Sequence, residues 1–288
     1  MRLQQFLVSF LFFLVLSVAS AAAAAPLPIV VSIPPQRWLA EQVGGELVRV
    51  HVLLDKARDP HSFEPTPEQI MTLFRSRLYF TVSLEFEREL IRKVNESETA
   101  VRTVDVTAGI KKIPMTGHDA HDHGGHDDPH VWLDPQNLKA MAETMAAAMM
   151  QADPVNTSVY TQNLQSVSKT LTALHQDVKA TLAPFSGRTF FVYHPAFGYF
   201  AKAYNLCQTA VETEGKSPSS KQLYALTAEA KKKKVKAVFI QPQLDRRNAE
   251  IIAKAIGASV ETLDDLAEDV PENLRRMAEH IRSALDGE

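Results

Sequence analysis

The sequence predicts an α/β protein of two Rossmann-like lobes, each with a mainly parallel sheet, joined by one long rigid helix. Three observations carry this. Short β-rich runs alternate with helix-patterned stretches, as βαβ units require. The runs fall into two groups, one early and one late in the 288 residues. Between the groups runs an amphipathic stretch much longer than any connecting loop needs.

The chain opens as a targeting segment. Arg2 gives a positive start, Phe6 to Val18 is an apolar run, and Ala19 to Ala25 supplies small residues for a signal peptidase. The run is too short for a transmembrane helix. Residues 1–25 are therefore expected to be removed, with the cut between Ala22 and Ala25. No cysteine stands at the cleavage region, so a free periplasmic protein without a lipid anchor is expected.

In the first lobe, residues 26–152, Leu27 to Ile33, Val48 to Leu54, Leu78 to Val82 and Val101 to Thr107 read as strands. Gln36 to Val43 reads as helix. Thr66 is placed to cap a further helix, with Pro67 at its first position and Gln69 completing a capping box. Residues 153–184 form the connecting helix. Its apolar positions, Leu164, Val167, Leu171, Leu174, Val178 and Leu182, recur in steps of three and four. Pro154 suits its first turn, and Pro184 with Gly187 stops it. Val155 to Leu182 would span about 42 Å, so the stretch is a strut rather than a flexible linker.

The second lobe, residues 185–288, carries strands at Thr189 to Tyr193, Val235 to Ile240 and Ala258 to Leu263. Helices begin near Ser217-Pro218, Asp245 and Pro271. Lys231 to Lys234 reads as a solvated face at a helix end, where cations suit the dipole.

Composition narrows the function. Apolar residues make up 45%, enough for a core without disulfides, and the formal charge is −3 with no basic stripe, which argues against nucleic acid as a partner. Cys207 stands alone, so it forms no internal disulfide and no zinc ribbon. It is expected as a small buried apolar residue.

Three histidines stand in similar local surroundings, His61 in DPHSFEPTP, His130 in DPHVWLDP and His194 in FFVYHPAFGYF. Proline close by stiffens the backbone around each. His194 follows directly on a strand, and His61 lies in the loop after one. Asp264 also follows a strand, and ligands in open α/β sheets collect at the carboxyl ends of strands. Three neutral imidazoles and one carboxylate suit tetrahedral Zn²⁺, whereas Mn²⁺ favours an oxygen-richer set. Asp265, Glu261, Glu64 or a water are alternatives for the fourth position. Residues 117–128, GHDAHDHGGHDD, hold His118, His121, His123 and His126. Their composition predicts an exposed loop that binds Zn²⁺ weakly and exchanges it quickly.

These residues lie in blocks that resemble the zinc- and manganese-binding solute-binding proteins of ABC transporters (the cluster A-I group), in the zinc-uptake branch. VSIPPQRWLAEQVGG, FEPTPEQ, DPHVWLDPQN, VYHPAFGYFA, EGKSPSSKQL and QPQLDRRNAEIIAKAIGA stand in the family's order across the mature chain. The resemblance implies a metal held between two lobes by His61, His130, His194 and Asp264. Manganese members typically carry glutamate in place of the third histidine. Zinc relatives often have proline after the aspartate, where this chain has Asp265. A monomer that passes Zn²⁺ to an inner-membrane ABC permease and its ATPase is implied, with Mn²⁺ the alternative cargo.

A non-enzyme is expected. A zinc hydrolase would need an open coordination position and a general base. Glu64 is the one tempting base, and neither HExxH nor GxSxG occurs. An adhesin or an extracytoplasmic zinc buffer are the remaining alternatives.

Overall fold

The computed structural model describes residues 25–55, 58–115, 127–212 and 218–286. The expected targeting segment and the histidines at 118, 121, 123 and 126 lie outside the described residues.

Two four-stranded sheets, all parallel, organise the chain. The first contains β1 (Leu27–Val31), β2 (Val48–Val52), β3 (Leu78–Thr81) and β4 (Arg102–Asp105), in the order β2-β1-β3-β4. Helices α1 (Pro34–Gly44), α2 (Pro67–Phe74) and α3 (Glu87–Asn95) connect these strands, and α4 (Pro135–Ala152) follows them. The strut is α5 (Thr157–Leu182). The second sheet contains β5 (Thr189–Val192), β6 (Cys207–Ala210), β7 (Ala237–Ile240) and β8 (Ser259–Thr262), in the matching order β6-β5-β7-β8. Helices α6 (Gly198–Ala203), α7 (Ser220–Lys232) and α8 (Arg246–Ile256) connect its strands, and α9 (Val270–Asp286) ends the fold.

Strands stop earlier than their apolar runs suggest, because the next residues are drawn into turns. After β1, Ser32 N–H is taken by Gln36 Oε1 at 2.8 Å, which starts α1 two residues before the expected helix. The cap of α2 forms as its sequence requires: Gln69 N–H donates to Thr66 Oγ1 at 3.3 Å, and Thr66 N–H to Gln69 Oε1 at 2.8 Å. The strut is shorter at its start than expected, since Pro154–Asn156 form a separate 3₁₀ turn. One expectation fails outright. Cys207 is exposed rather than buried, because it opens β6 at the sheet edge.

The strut is held from both sides. Val167, Leu171, Leu174, Val178 and Leu182 are buried, and the helix packs on α4 and α1 of the first lobe and α9 of the second. Asn163 Nδ2 donates to Val43 O at 3.0 Å, and Arg275 pairs with Asp177 at 3.2 Å. A single apolar core runs through this packing from one lobe into the other, so lobe displacement works against buried surface.

Leu174 is fully buried on that seam. Leu174→Ala is expected to lower unfolding free energy by about 2–5 kcal/mol, read from the urea midpoint. An unchanged midpoint would mean the strut does not share the core.

Candidate metal centre

Every strand of the second sheet hands one polar side chain to the cleft from its carboxyl end. His194 follows β5, Glu212 follows β6, Gln241 follows β7 and Asp265 follows β8. Because Val192 and Ala210 are paired in register, His194 and Glu212, each two residues further on, come out side by side. The first lobe contributes His61 from the loop after β2, and His130 just before α4. Aspartates fix both backbones: Asp59 Oδ1 accepts His61 N–H at 2.9 Å, and Asp128 Oδ1 accepts His130 N–H at 2.9 Å.

The three imidazoles meet. The ring centroids of His61 and His194 are 4.9 Å apart, and those of His130 and His194 are 5.5 Å apart, both edge-on. His61 Nε2 and His194 Nε2 are 3.3 Å apart. Two nitrogens bound to one tetrahedral ion at zinc distances lie about 3.3–3.4 Å apart, so this spacing matches an edge of a zinc tetrahedron. His130 Nε2 stands 3.9 Å from Asp265 Oδ2, about half an ångström longer than such an edge. With Gln241, Gln243, Leu244, Asp59 and Pro60, these four residues line a cavity of about 20 Å³ that stays open on the His61 side. That is room for one ion or water, where an organic ligand needs several hundred cubic ångströms.

Carboxylates set which ring nitrogens face inward. His130 Nδ1 lies 2.8 Å from Asp128 Oδ1, and His194 Nδ1 contacts Glu212 Oε1. Each carboxylate takes an Nδ1 proton, leaving an Nε2 lone pair toward the cavity. Burial works to lower the His130 pKa, but the Asp128 hydrogen bond and charge outweigh it and raise the pKa above the ordinary value. The pKa of His61 is lowered by desolvation, then by the neighbouring His194. Burial raises that of Asp265, against the pull of His130 and His194. Asp265 Oδ1 and both amide atoms of Gln241 are buried without a hydrogen-bond partner. A cluster with unmet acceptors and inward lone pairs is chemically suited to a divalent cation.

The structure does not bring Asp264 to this group. Asp264 Oδ1 accepts Leu266 N–H at 2.9 Å, a local turn that rotates its side chain away. It lines a separate cavity of about 240 Å³, beside Asn273, Arg276 and His280. The neighbouring residue, Asp265, occupies the expected place. The 264–265 segment is anchored by Trp132 Nε1, which donates to Asp265 O at 2.6 Å, and by Asn273 Nδ2, which donates to Asp264 O at 2.6 Å. Glu64 is exposed, and Glu261 lies within β8 rather than beyond its end.

Asp128, Glu212, Trp132 and Gln241 are site residues that the sequence pattern does not single out. Asp128 had a signal, since Asp two residues before a stiffened His can accept its backbone N–H. Glu212 was hidden because the strand that delivers it carries no recognisable pattern.

Residues 29–285 match the family described as zinc-uptake complex component A, periplasmic. A crystal structure of ZnuA is 37% identical, with a TM-score of 0.84, covering 90% of this chain and 99% of that one. A zinc-bound ZnuA mutant lacking residues 138–173 of its own chain is 37% identical, with a TM-score of 0.83 and coverage of 90% and 98%. The metal ABC transporter substrate-binding lipoprotein SsaB of Streptococcus sanguinis is 26% identical over 230 residues, 75% of this chain and 72% of its own.

Without Asp128, burial would act on His130 against the Asp265 charge alone. In Asp128→Asn the His130 titration midpoint, followed by NMR of its ring protons in chelator-treated protein, is expected to fall. Because its folded pKa is raised, this pair stabilises the fold fully below the unfolded value, and the benefit is lost as pH rises through the folded one. The stability gap between wild type and variant should therefore be wider at pH 5 than at pH 8; an equal gap would reject the pairing.

Proposed function

The chain belongs to the zinc-uptake complex component A family of extracytoplasmic, metal-binding receptors of ABC transporters, and we propose that it captures Zn²⁺ between its lobes. The ligands are His61, His130 and His194 through Nε2, with Asp265 as the fourth. Asp264 supports the turn that presents Asp265.

The observation that carries this reading is the pair of Nε2 atoms at 3.3 Å. With its Nδ1 proton committed to Glu212, His194 Nε2 accepts, and a single proton on His61 joins the rings. For a divalent cation to take the place of that proton, His61 carries it on Nδ1 instead, so that both Nε2 lone pairs face the ion and each ring stays neutral. Three nitrogens and one oxygen favour Zn²⁺ over Mn²⁺, which prefers harder, more numerous oxygen ligands. Cu²⁺ and Ni²⁺ compete in vitro by affinity order.

In this reading all four coordination positions come from the protein, and the cavity of about 20 Å³ has room for a single ion. This is the design of a closed binding site rather than of a hydrolase, which keeps one position open for water. The strut and the seam it buries favour small lobe displacements, so release requires a docked partner, an ABC permease with its ATPase. The receptor acts as an extracytoplasmic monomer. The tract containing His118, His121, His123 and His126 is assigned the auxiliary task of concentrating metal, on composition alone.

Metal content is to be measured by mass spectrometry after dialysis against mixed Zn²⁺ and Mn²⁺. Wild type is expected to hold one Zn²⁺ at this site. His194→Ala should lose it, Asp265→Ala should hold it weakly, and Asp264→Ala should retain it. Manganese in the wild type, or zinc indifferent to His194, would reject the reading. Affinity should also decline as pH falls, first through protonation of His130, whose pKa is raised, and only later of His61. Affinity constant from pH 8 to pH 5 would count against imidazole ligands.

A further inference from the structure

The second lobe contributes more to the site than the side chains that line it. Four residues after His194, α6 opens with Gly198 and Tyr199, and both reach across to the segment that carries Asp128. A Cβ at Gly198 would stand 2.6 Å from Asp128 Oδ2 and 3.3 Å from Ile113 Cδ1. The first distance is closer than side chains tolerate, so the carboxylate occupies space that only glycine leaves free. Tyr199 Oη accepts Ile113 N–H at 3.2 Å. Ile113 O in turn accepts Asp128 N–H at 2.8 Å, and Pro114 bridges to Asp127 beside it. Residues 113–114 and 127–128 therefore form one paired unit, seated against α6.

That unit bears directly on His130. Asp128 is 1% exposed, and its Oδ1 accepts both the backbone N–H of His130 and the ring Nδ1–H. Neither Gly198 nor Tyr199 lines the small cavity. Any effect they have on a bound ion passes through Asp128.

We propose that Gly198 and Tyr199 are positioning residues, through which the second lobe orients Asp128 and, by way of it, the His130 ring. The inference rests on the three-histidine site proposed above. Its consequence is that lobe displacement acts twice. It draws His194 and Asp265 from the first-lobe ligands, and it lifts α6 off the unit that keeps the His130 lone pair aimed at the ion. Release is then coupled to the lobe contact rather than to ligand separation alone.

The test compares zinc affinity, by competition with a chromogenic chelator, in wild type, His130→Ala, Gly198→Ala, Tyr199→Phe, Asp128→Ala and the Asp128→Ala/Gly198→Ala double variant. Ring ¹⁵N shifts report the His130 tautomer in parallel. Gly198→Ala is expected to weaken zinc binding about 10–100-fold, the range seen when a group orienting a metal ligand is lost. Tyr199→Phe should weaken it less, and both should reduce the Nδ1–H tautomer at His130 while leaving that of His194 unchanged. In the Asp128→Ala background, Gly198→Ala should have no further effect, since the two act on one chain of contacts. The proposal is overturned if Gly198→Ala leaves affinity unchanged, acts equally strongly without Asp128, or weakens binding with the His130 tautomer intact. Should Gly198→Ala not fold, Tyr199→Phe alone and combined with Asp128→Ala decides by the same criteria. An unaltered affinity in His130→Ala would instead remove the zinc-site reading itself.

Discussion

Two buried imidazoles can turn their lone pairs toward a common point only if each has its other ring nitrogen satisfied. In this molecule that condition is met by Asp128 on His130 and Glu212 on His194, and the rest of the site depends on it. An imidazole 3% exposed without such a partner would place its proton wherever burial cost least. The carboxylates remove that freedom. They also explain why the fold delivers side chains in neighbouring pairs: Glu212 and His194 leave adjacent strands at the same level, so their hydrogen bond follows from sheet register rather than from a flexible search.

The frame around the site serves the same end. Parallel strands all release their chains at one edge, and the second sheet uses that edge fully, placing a polar residue beyond every strand. The first lobe is less symmetric in its use. Its β1 and β3 ends are occupied by a buried network in which Ser32 donates to Glu87, while Val82 N–H and Leu84 N–H donate to the same carboxylate at 3.0 and 2.8 Å. Burial pushes the Glu87 pKa up to about 7 against these hydrogen bonds. His61 and His130 come instead from the longer segments after β2 and β4. One lobe thus offers a fixed row, and the other offers two loops stiffened by proline and by aspartate caps.

Much of this architecture is legible in the chain. The strut announces itself by its stripe, the α2 cap by Thr66, Pro67 and Gln69, and the three histidines by the prolines beside them. What stays hidden has identifiable causes. The strand Cys207–Ala210 has a polar composition and an exposed start because it is an edge strand, so no apolar alternation marks it. Missing it concealed Glu212. The choice between Asp264 and Asp265 turns on which carboxylate accepts Leu266 N–H, a contact between neighbours that no periodicity encodes. Asp128 belongs to both the histidine-rich tract and the His130 cap, and composition favours the first role while geometry assigns the second.

The rigidity of the strut constrains how such a receptor works. A cavity of about 20 Å³ with two of its imidazole nitrogens already 3.3 Å apart loses little freedom when it closes on an ion. Preorganisation of that kind favours tight capture and makes spontaneous release slow. If the lobes were joined by a flexible hinge, thermal opening would relieve this. Here a continuous apolar core and the buried face of α5 oppose it. The energy for release must then come from outside the receptor, and the most economical place to apply it is the contact between lobes. Trp132 holding the Asp265 backbone and α6 resting on Asp128 are both contacts of that kind. A small displacement there disturbs side chains on both sides of the cleft at once, without requiring the strut to bend.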